Sequence, residues 1–397
     1  MKFKNLHIKK HNKPTGRFFP HRIFILLLTI VFLLPAFASF AQKKSKKKKP
    51  SFELRFKLAT IYDDNILKYS DQYLQRFMNG EDEGRFHIKT YDDVIFYTAL
   101  RFSSTFRIFG KQKSKFEIEY SRRTYAVNSI KDWNYYYVGF QQYLPERFSF
   151  KISYSYIPNF YVRHFRDDQW IAIFGYNPIV FQPYAFSKDN YGFSIQKVFF
   201  KNTRLKLSFY YALYYHNKHY TEYDSKNLYY GFTFYQPVHK NVRLEIGYQF
   251  VNSDAKGYDA AYETPESTLG PDATYAEDRF TFGVLWQLPK MRKIKHSINV
   301  KCGFQSRYYS SKHPLEIDRL HAGRVDRNLR LYFNYNVKIN KSMKLRAYYY
   351  WYGRNSETSA DLNKTFISNE KDYRQNIFGL EFIYNLKFKN KPKKRDK

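Results

Sequence analysis

With 397 residues and a single cysteine, Cys302, the chain is long enough for one large domain and excludes a fold held by intrachain disulfides. Its 40 tyrosines and 39 phenylalanines coexist with a mean hydropathy of −0.66, so the apolar content sits on rings diluted by polar neighbours, with more tyrosine than a soluble β-sandwich needs. The formal charge of +33 would suit nucleic acid, but residues 1–41, 43–49 and 389–397 hold much of it and leave +15 on residues 50–388, so no nucleic-acid partner is expected.

In chain order, residues 1–22 are basic and Ile23 to Leu34 form an apolar run, closed by Pro35 and followed by small residues spaced A-x-A. The run is short beside a spanning helix of about 20 residues, so residues 1–41 read as a cleaved signal peptide, cut after Ala38 or Ala41. A lysine-rich segment, 42–50, follows as a basic periplasmic linker, and the chain ends in a basic periplasmic tail, 389–397. No later segment is a continuous apolar run of about 18 residues. Export without a helical span, combined with strong alternation, predicts an all-β fold over 51–388. The expectation is a transmembrane antiparallel up-and-down β-barrel of about 14 strands, integral to a Gram-negative outer membrane and in contact with its lipid.

The alternation predicts strands at 51–62, 93–108, 114–126, 133–144, 147–157, 189–200, 203–215, 226–236, 241–252, 278–288, 294–308, 327–339, 343–353 and 374–388. Short connections alternate with longer ones, which places the short turns in the periplasm and the long loops outside the cell. Most descending strands open on Asp with a polar neighbour, as at Asp92-Asp93, Asp132, Asp224, Asp278, Asp326 and Asp372, which is ordinary turn chemistry.

Parity then sorts the faces. One face of each strand is Phe, Leu, Ile, Val and Tyr, and Cys302 falls on it. The other carries Arg55, Lys57, Lys115, Arg123, Arg147, Lys151, Arg204, Lys206, Arg243, Lys301, Arg307, Arg330, Lys338, Lys344, Arg346 and Lys387 against Glu53, Glu117, Glu119, Glu245 and Glu381. In a barrel the second face lines the lumen, and its basic excess would either favour anions or pair with inward acids and tyrosines as filler. The loop 158–188 is apolar for an exposed connection, and Trp170, Phe174, Tyr176, Phe181 and Tyr184 are expected either to fold into the lumen as a constriction or to cap it as a packed lid.

No G-x-S-x-G elbow, H-E-x-x-H motif or Gly-rich phosphate loop occurs, and His216, His219, Glu222 and Asp224 read as a solvated loop. The chain is therefore expected to be no enzyme and to need no cofactor or metal. The first strand closes on Tyr62-Asp63-Asp64-Asn65, which resembles the start of the β-barrel porins found with exopolysaccharide and other envelope systems. That resemblance implies a porin-like channel, and the basic inward face adds the expectation that its small or saccharide-like solutes are anionic. The alternative is a non-conducting barrel that anchors or helps assemble other envelope proteins.

Overall fold

In the computed structural model the described residues are 50–388, apart from 82–83, 109–111, 260–261, 265–266, 269 and 293. The proposed signal peptide, nearly all of the basic linker and the tail lie outside them. The fold is one closed, up-and-down antiparallel barrel of 14 strands: β1 (Ser51–Asp63), β2 (Asp93–Phe106), β3 (Ser114–Tyr125), β4 (Trp133–Tyr143), β5 (Phe148–Arg166), β6 (Phe181–Val198), β7 (Arg204–His216), β8 (Ser225–His239), β9 (Val242–Ala255), β10 (Tyr275–Gln287), β11 (Lys295–Tyr309), β12 (Arg324–Lys338), β13 (Met343–Thr358) and β14 (Tyr373–Phe388). Each strand pairs with its sequence neighbours, and β1 pairs with β14 from Phe52↔Phe388 to Asp63↔Ile377, so no sheet edge remains.

Six short turns (107–113, 144–147, 199–203, 240–241, 288–294 and 339–342) lie at one end, the turn end. Seven loops lie at the other: L1 (64–92), L2 (126–132), L3 (167–180), L4 (217–224), L5 (256–274), L6 (310–323) and L7 (359–372). Three of them carry short helices: α1 (Asp71–Met78) in L1, α2 (Asp168–Phe174) in L3 and α3 (Lys364–Lys371) in L7. Ser70 caps α1 by accepting a hydrogen bond from the Tyr73 amide at 3.2 Å, with Asp71 in the first turn. The carboxylates that open the descending strands cap the hairpins. Asp132 accepts from the Tyr125 amide at 2.8 Å, Asp224 from His216 at 2.5 Å and Asp372 from Ser356 at 2.6 Å.

The outward face is apolar and exposed, from Leu58 and Phe96 on β1 and β2 round to Phe378 and Leu380 on β14. Cys302 lies on it, opposite Phe282. Towards the loop end, outward tyrosines donate to polar partners: Tyr62 to Asp92 at 2.9 Å, Tyr248 to Asp278 at 2.6 Å and Tyr349 to Asn376 at 2.8 Å. An apolar band bordered by amphipathic rings matches a lipid–water boundary.

Two expectations fail. Arg147 lies in the 144–147 turn at a φ of 60°, beyond the barrel wall. The loop predicted at 158–188 is mostly strand, because β5 runs to Arg166 and β6 begins at Phe181. Register shifts between Ile157 and Phe160 and between Tyr161 and Arg163 break the period-two pattern, which hid this extension from the alternation. Phe181 and Tyr184 are therefore wall residues. Within the remaining L3, Phe174 and Tyr176 are exposed, and Trp170 packs on Phe174 (centroids 5.1 Å apart) and on His219 of L4 (5.2 Å) rather than across the lumen.

Candidate functional site

L1, rather than L3, folds against the inward face of the wall. The Tyr62-Asp63-Asp64-Asn65 tetrapeptide sends L1 inward, its side chains alternating between faces. Asp63, buried on the inside, accepts two hydrogen bonds from the Gln375 amide at 2.7 and 2.9 Å, and Asp64 accepts from the Asn376 backbone and side chain, both at 2.6 Å. These bonds stitch the first strand to the last. Asn65 turns the chain over the rim: its amide donates to the carbonyls of Tyr69 (2.8 Å) and Arg374 (3.0 Å), and its oxygen accepts from the Tyr69 amide (2.8 Å). Ile66, Leu67, Tyr69, Tyr73 and Ile88 then pack against inward-facing Ala59, Ile61, Ile95, Tyr125 and Tyr348, forming the main apolar core of the described residues. From β5, Arg163 donates to the carbonyls of Leu67 and Lys68 (3.1 Å to the latter) while its guanidinium lies 4.7 Å from the Tyr69 ring centroid.

The other loops complete a roof around L1. L1 meets L2 where the Lys89 amide donates to Asn128 at 2.7 Å, and L7 where Ser70 and Tyr73 donate to the Asn369 carbonyl and the Glu370 carboxylate. It meets L3 at Gly84, which has a φ of 85° and sits so close to Pro178 that a Cβ there would collide with its carbonyl. His219 of L4 bonds Asp167 of L3 at 2.9 Å, the Lys256 amide of L5 donates to the Asp224 carbonyl of L4 at 2.8 Å, the Asp272 amide of L5 donates to Asp318 of L6 at 2.9 Å, and Arg319 of L6 donates to Asn363 of L7 at 2.9 Å. Burial decides the chemistry beneath. Glu222 in L4, 8% exposed and facing further carboxylates, is pushed up to about 8. Lys131 in L2, 4% exposed, is pulled down to about 7 by burial, although it donates to the carbonyls of Tyr161 (2.8 Å) and Val162 (3.4 Å). The four residues read as one solvated loop thus separate: His216 and Asp224 cap a hairpin, His219 joins L3, and Glu222 is buried under the roof.

The register places the remaining predicted lumenal residues on the inward face. Every inward glutamate is engaged. Glu53 pairs with Arg55 (3.0 Å), Glu117 with Lys115 (2.6 Å) and Lys151 (3.1 Å), Glu245 with Lys301 (2.6 Å), Glu381 with Arg346 (2.9 Å), and Glu119 with Arg101. Glu277 binds Arg307 (2.7 Å) and Arg279. Arg101 and Arg279 share the inward parity and were missed for no reason but omission from the pattern. Basic groups remain over: among the described residues no carboxylate lies within ion-pair distance of Lys57, Arg123, Arg204, Lys206, Arg243, Arg330 or Lys344. Arg330 donates to Gln305 at 2.5 Å, and Arg123 lies over the Trp133 ring at 5.1 Å. Arg204 and Arg243 reach the Tyr235 ring from the two flanking strands, at 5.1 and 5.5 Å.

No protein-family model matches the chain, and no curated protein matches it in sequence. Among solved structures it is similar to a bacterial polysaccharide outer membrane secretin (9% identity, TM-score 0.45, covering 85% of this chain and 98% of that one). It is similar also to the trimer form of in-vitro folded OmpT, an outer membrane protein of Vibrio cholerae (8%, 0.43, 85% and 100%), and to the outer membrane channel DcaP of Acinetobacter baumannii (11%, 0.41, 87% and 100%). At such values no activity passes from them to this chain.

Proposed function

We propose that the protein is an outer-membrane channel for small anionic, saccharide-like solutes, gated at its outer end by L1. The turn end faces the periplasm on this reading, and the apolar outward face meets lipid. One observation carries it: the inward glutamates are all paired, whereas Arg204, Lys206, Arg243, Lys57 and Lys344 have no carboxylate within ion-pair distance among the described residues and line the wall below the roof of loops. Fixed positive charge in a narrow wet passage favours anions over cations. Arg204 and Arg243, both held over the Tyr235 ring, offer donors for the anionic groups of such a solute. Conductance of the refolded chain in a planar bilayer under a salt gradient tests this. Anion-selective steps that grow when residues 66–90 are deleted support it. An inserted barrel that never conducts, even without that loop, sinks it and leaves the anchor or assembly role, which the continuous roof of loops favours.

A further inference from the structure

At the turn end, a cavity of about 430 Å³ is lined by Thr105, Arg107, Gln112, Lys113, Lys115 and Tyr143. A second, of about 270 Å³, adjoins it across Tyr143 and contains Arg147. We propose that the pair forms a binding site for a multiply charged anion, bearing phosphate or carboxylate groups, at the periplasmic mouth. The site rests on the channel reading for its role, though not for its existence.

Its charge is unbalanced. Among the described residues no carboxylate lies within ion-pair distance of Arg107, Lys113 or Arg147. The neighbouring acid of the second cavity, Glu146, is taken by Lys197 at 3.1 Å. Lys115 has Glu117, but that carboxylate is shared with Lys151 at 3.1 Å and lies 3.8 Å from Arg101, which also pairs with Glu119, so three cations share two anions. The walls are also held in place. Gln142, 1% exposed, accepts from Ser114 at 2.6 Å and donates to the carbonyls of Lys113 (3.2 Å) and Tyr143 (2.7 Å), while the Tyr143 amide donates to the Lys113 carbonyl at 2.9 Å. The backbone of Lys113 and the shared tyrosine are thereby fixed before any ligand arrives, which lowers the ordering cost of binding. Thr105 and Gln112 add neutral donors.

Two cavities in line make ligand length a variable. A short anion fills the first only. A chain with repeated anionic groups reaches Arg147 in the second. Titration calorimetry of the full chain in a zwitterionic detergent, with inorganic tripolyphosphate and with oligogalacturonates of increasing length, reads both. We expect saturable binding that weakens as salt rises, no binding of neutral malto-oligosaccharides, and at least a tenfold loss in the Arg107→Gln/Lys113→Gln double variant, whose barrel is checked by circular dichroism. Affinity that climbs with oligogalacturonate length and falls on Arg147→Gln identifies a polymeric ligand; equal affinity for tripolyphosphate, indifferent to Arg147→Gln, identifies a small solute. Unchanged affinity in the double variant, or binding of neutral and charged sugars alike, overturns the site. If this double variant loses its barrel spectrum, Arg107→Gln alone carries the comparison. Binding without any conductance would overturn the channel reading and leave this site standing.

Discussion

The two ends of this barrel are built on the same strands and the same parity, yet they do opposite things with their inward charges. At the loop end both partners of the Arg324–Asp326 ion pair, at 4% and 1% exposed, are packed beneath the roof. Towards the turn end Arg55, Lys115 and Arg346 keep 31–33% of their side-chain surface and face an open vestibule. Parity decides only that a residue points inward. Loop length decides whether it is then packed or solvated: L1 brings its own Ile66, Leu67, Tyr69 and Tyr73 to cover the wall, and a turn such as 240–241 has nothing to bring.

The largest effect is expected where L1 is hinged. Asn65→Ala removes three side-chain hydrogen bonds at a site 2% exposed and leaves the carbonyls of Tyr69 and Arg374 without that donor. We expect a loss of about 3 kcal/mol in urea unfolding and a larger or more frequent open state in bilayers. Asn65→Asp keeps the shape but not the donors, so it should behave like the alanine. If it behaves like wild type, the amide does not hold L1.

Next comes pH at the roof. Glu222 stands at about 8 in the fold, against an ordinary value of about 4.5. A group raised in this way contributes its stability fully below its unfolded value and loses it as pH rises through its folded one. Between pH 4.5 and 8 the roof should therefore weaken by up to about 1.4 kcal/mol per pH unit. Protease cleavage in L4 and L5 should accelerate from pH 5 to 7, and Glu222→Gln should flatten the profile. Lys131 acts with the opposite sign: its folded value is depressed to about 7, so its protonation weakens the roof as pH falls from 10.5 towards 7, and cleavage that slows as pH rises above 7 in Glu222→Gln would be its signature.

How far the sequence could be read follows the same division. Strand number and register parity are local, period-two properties, and they were legible. The ends of β5 and β6 were not, because bulges at Ile157 to Arg163 shift the pattern and a strand rich in rings then looks like an apolar loop. L1 was passed over although Ile66, Leu67, Tyr69 and Tyr73 were visible, because what folds it inward is a set of contacts such as Asp63–Gln375, 312 residues apart. Periodicity carries no information at that distance.

A smaller effect is expected at a close approach beneath L1. Gly379 lies under the Tyr348 ring, where any Cβ would collide with it, an aromatic covering a strand glycine. Gly379→Ala should cost about 1–3 kcal/mol by pushing Tyr348 out of the L1 core. Gly303→Ala, whose Cβ would find its nearest neighbours at 3.8 Å, serves as the control and should be close to neutral. Equal losses at the two positions would show that the barrel penalises any strand alanine, and the covering ring would have no special part.

The smallest change in stability should accompany the clearest change in selectivity. Arg204 and Arg243 have no carboxylate partner among the described residues and touch the Tyr235 ring, so Arg204→Gln/Arg243→Gln breaks no ion pair. Its unfolding free energy should fall by no more than about 1 kcal/mol, the scale of a solvated cation–π contact. The reversal potential under a salt gradient should nevertheless move towards the cation side, since two fixed charges leave the wall. Lys301→Gln is the sharper half of the comparison. It removes the same kind of charge but frees Glu245, its partner at 2.6 Å, so it should shift selectivity further than a single arginine does. If the unpaired arginines matter less than the paired lysine by no more than their number, the whole lumen sets selectivity; if they matter more, ions pass along the β7–β9 wall.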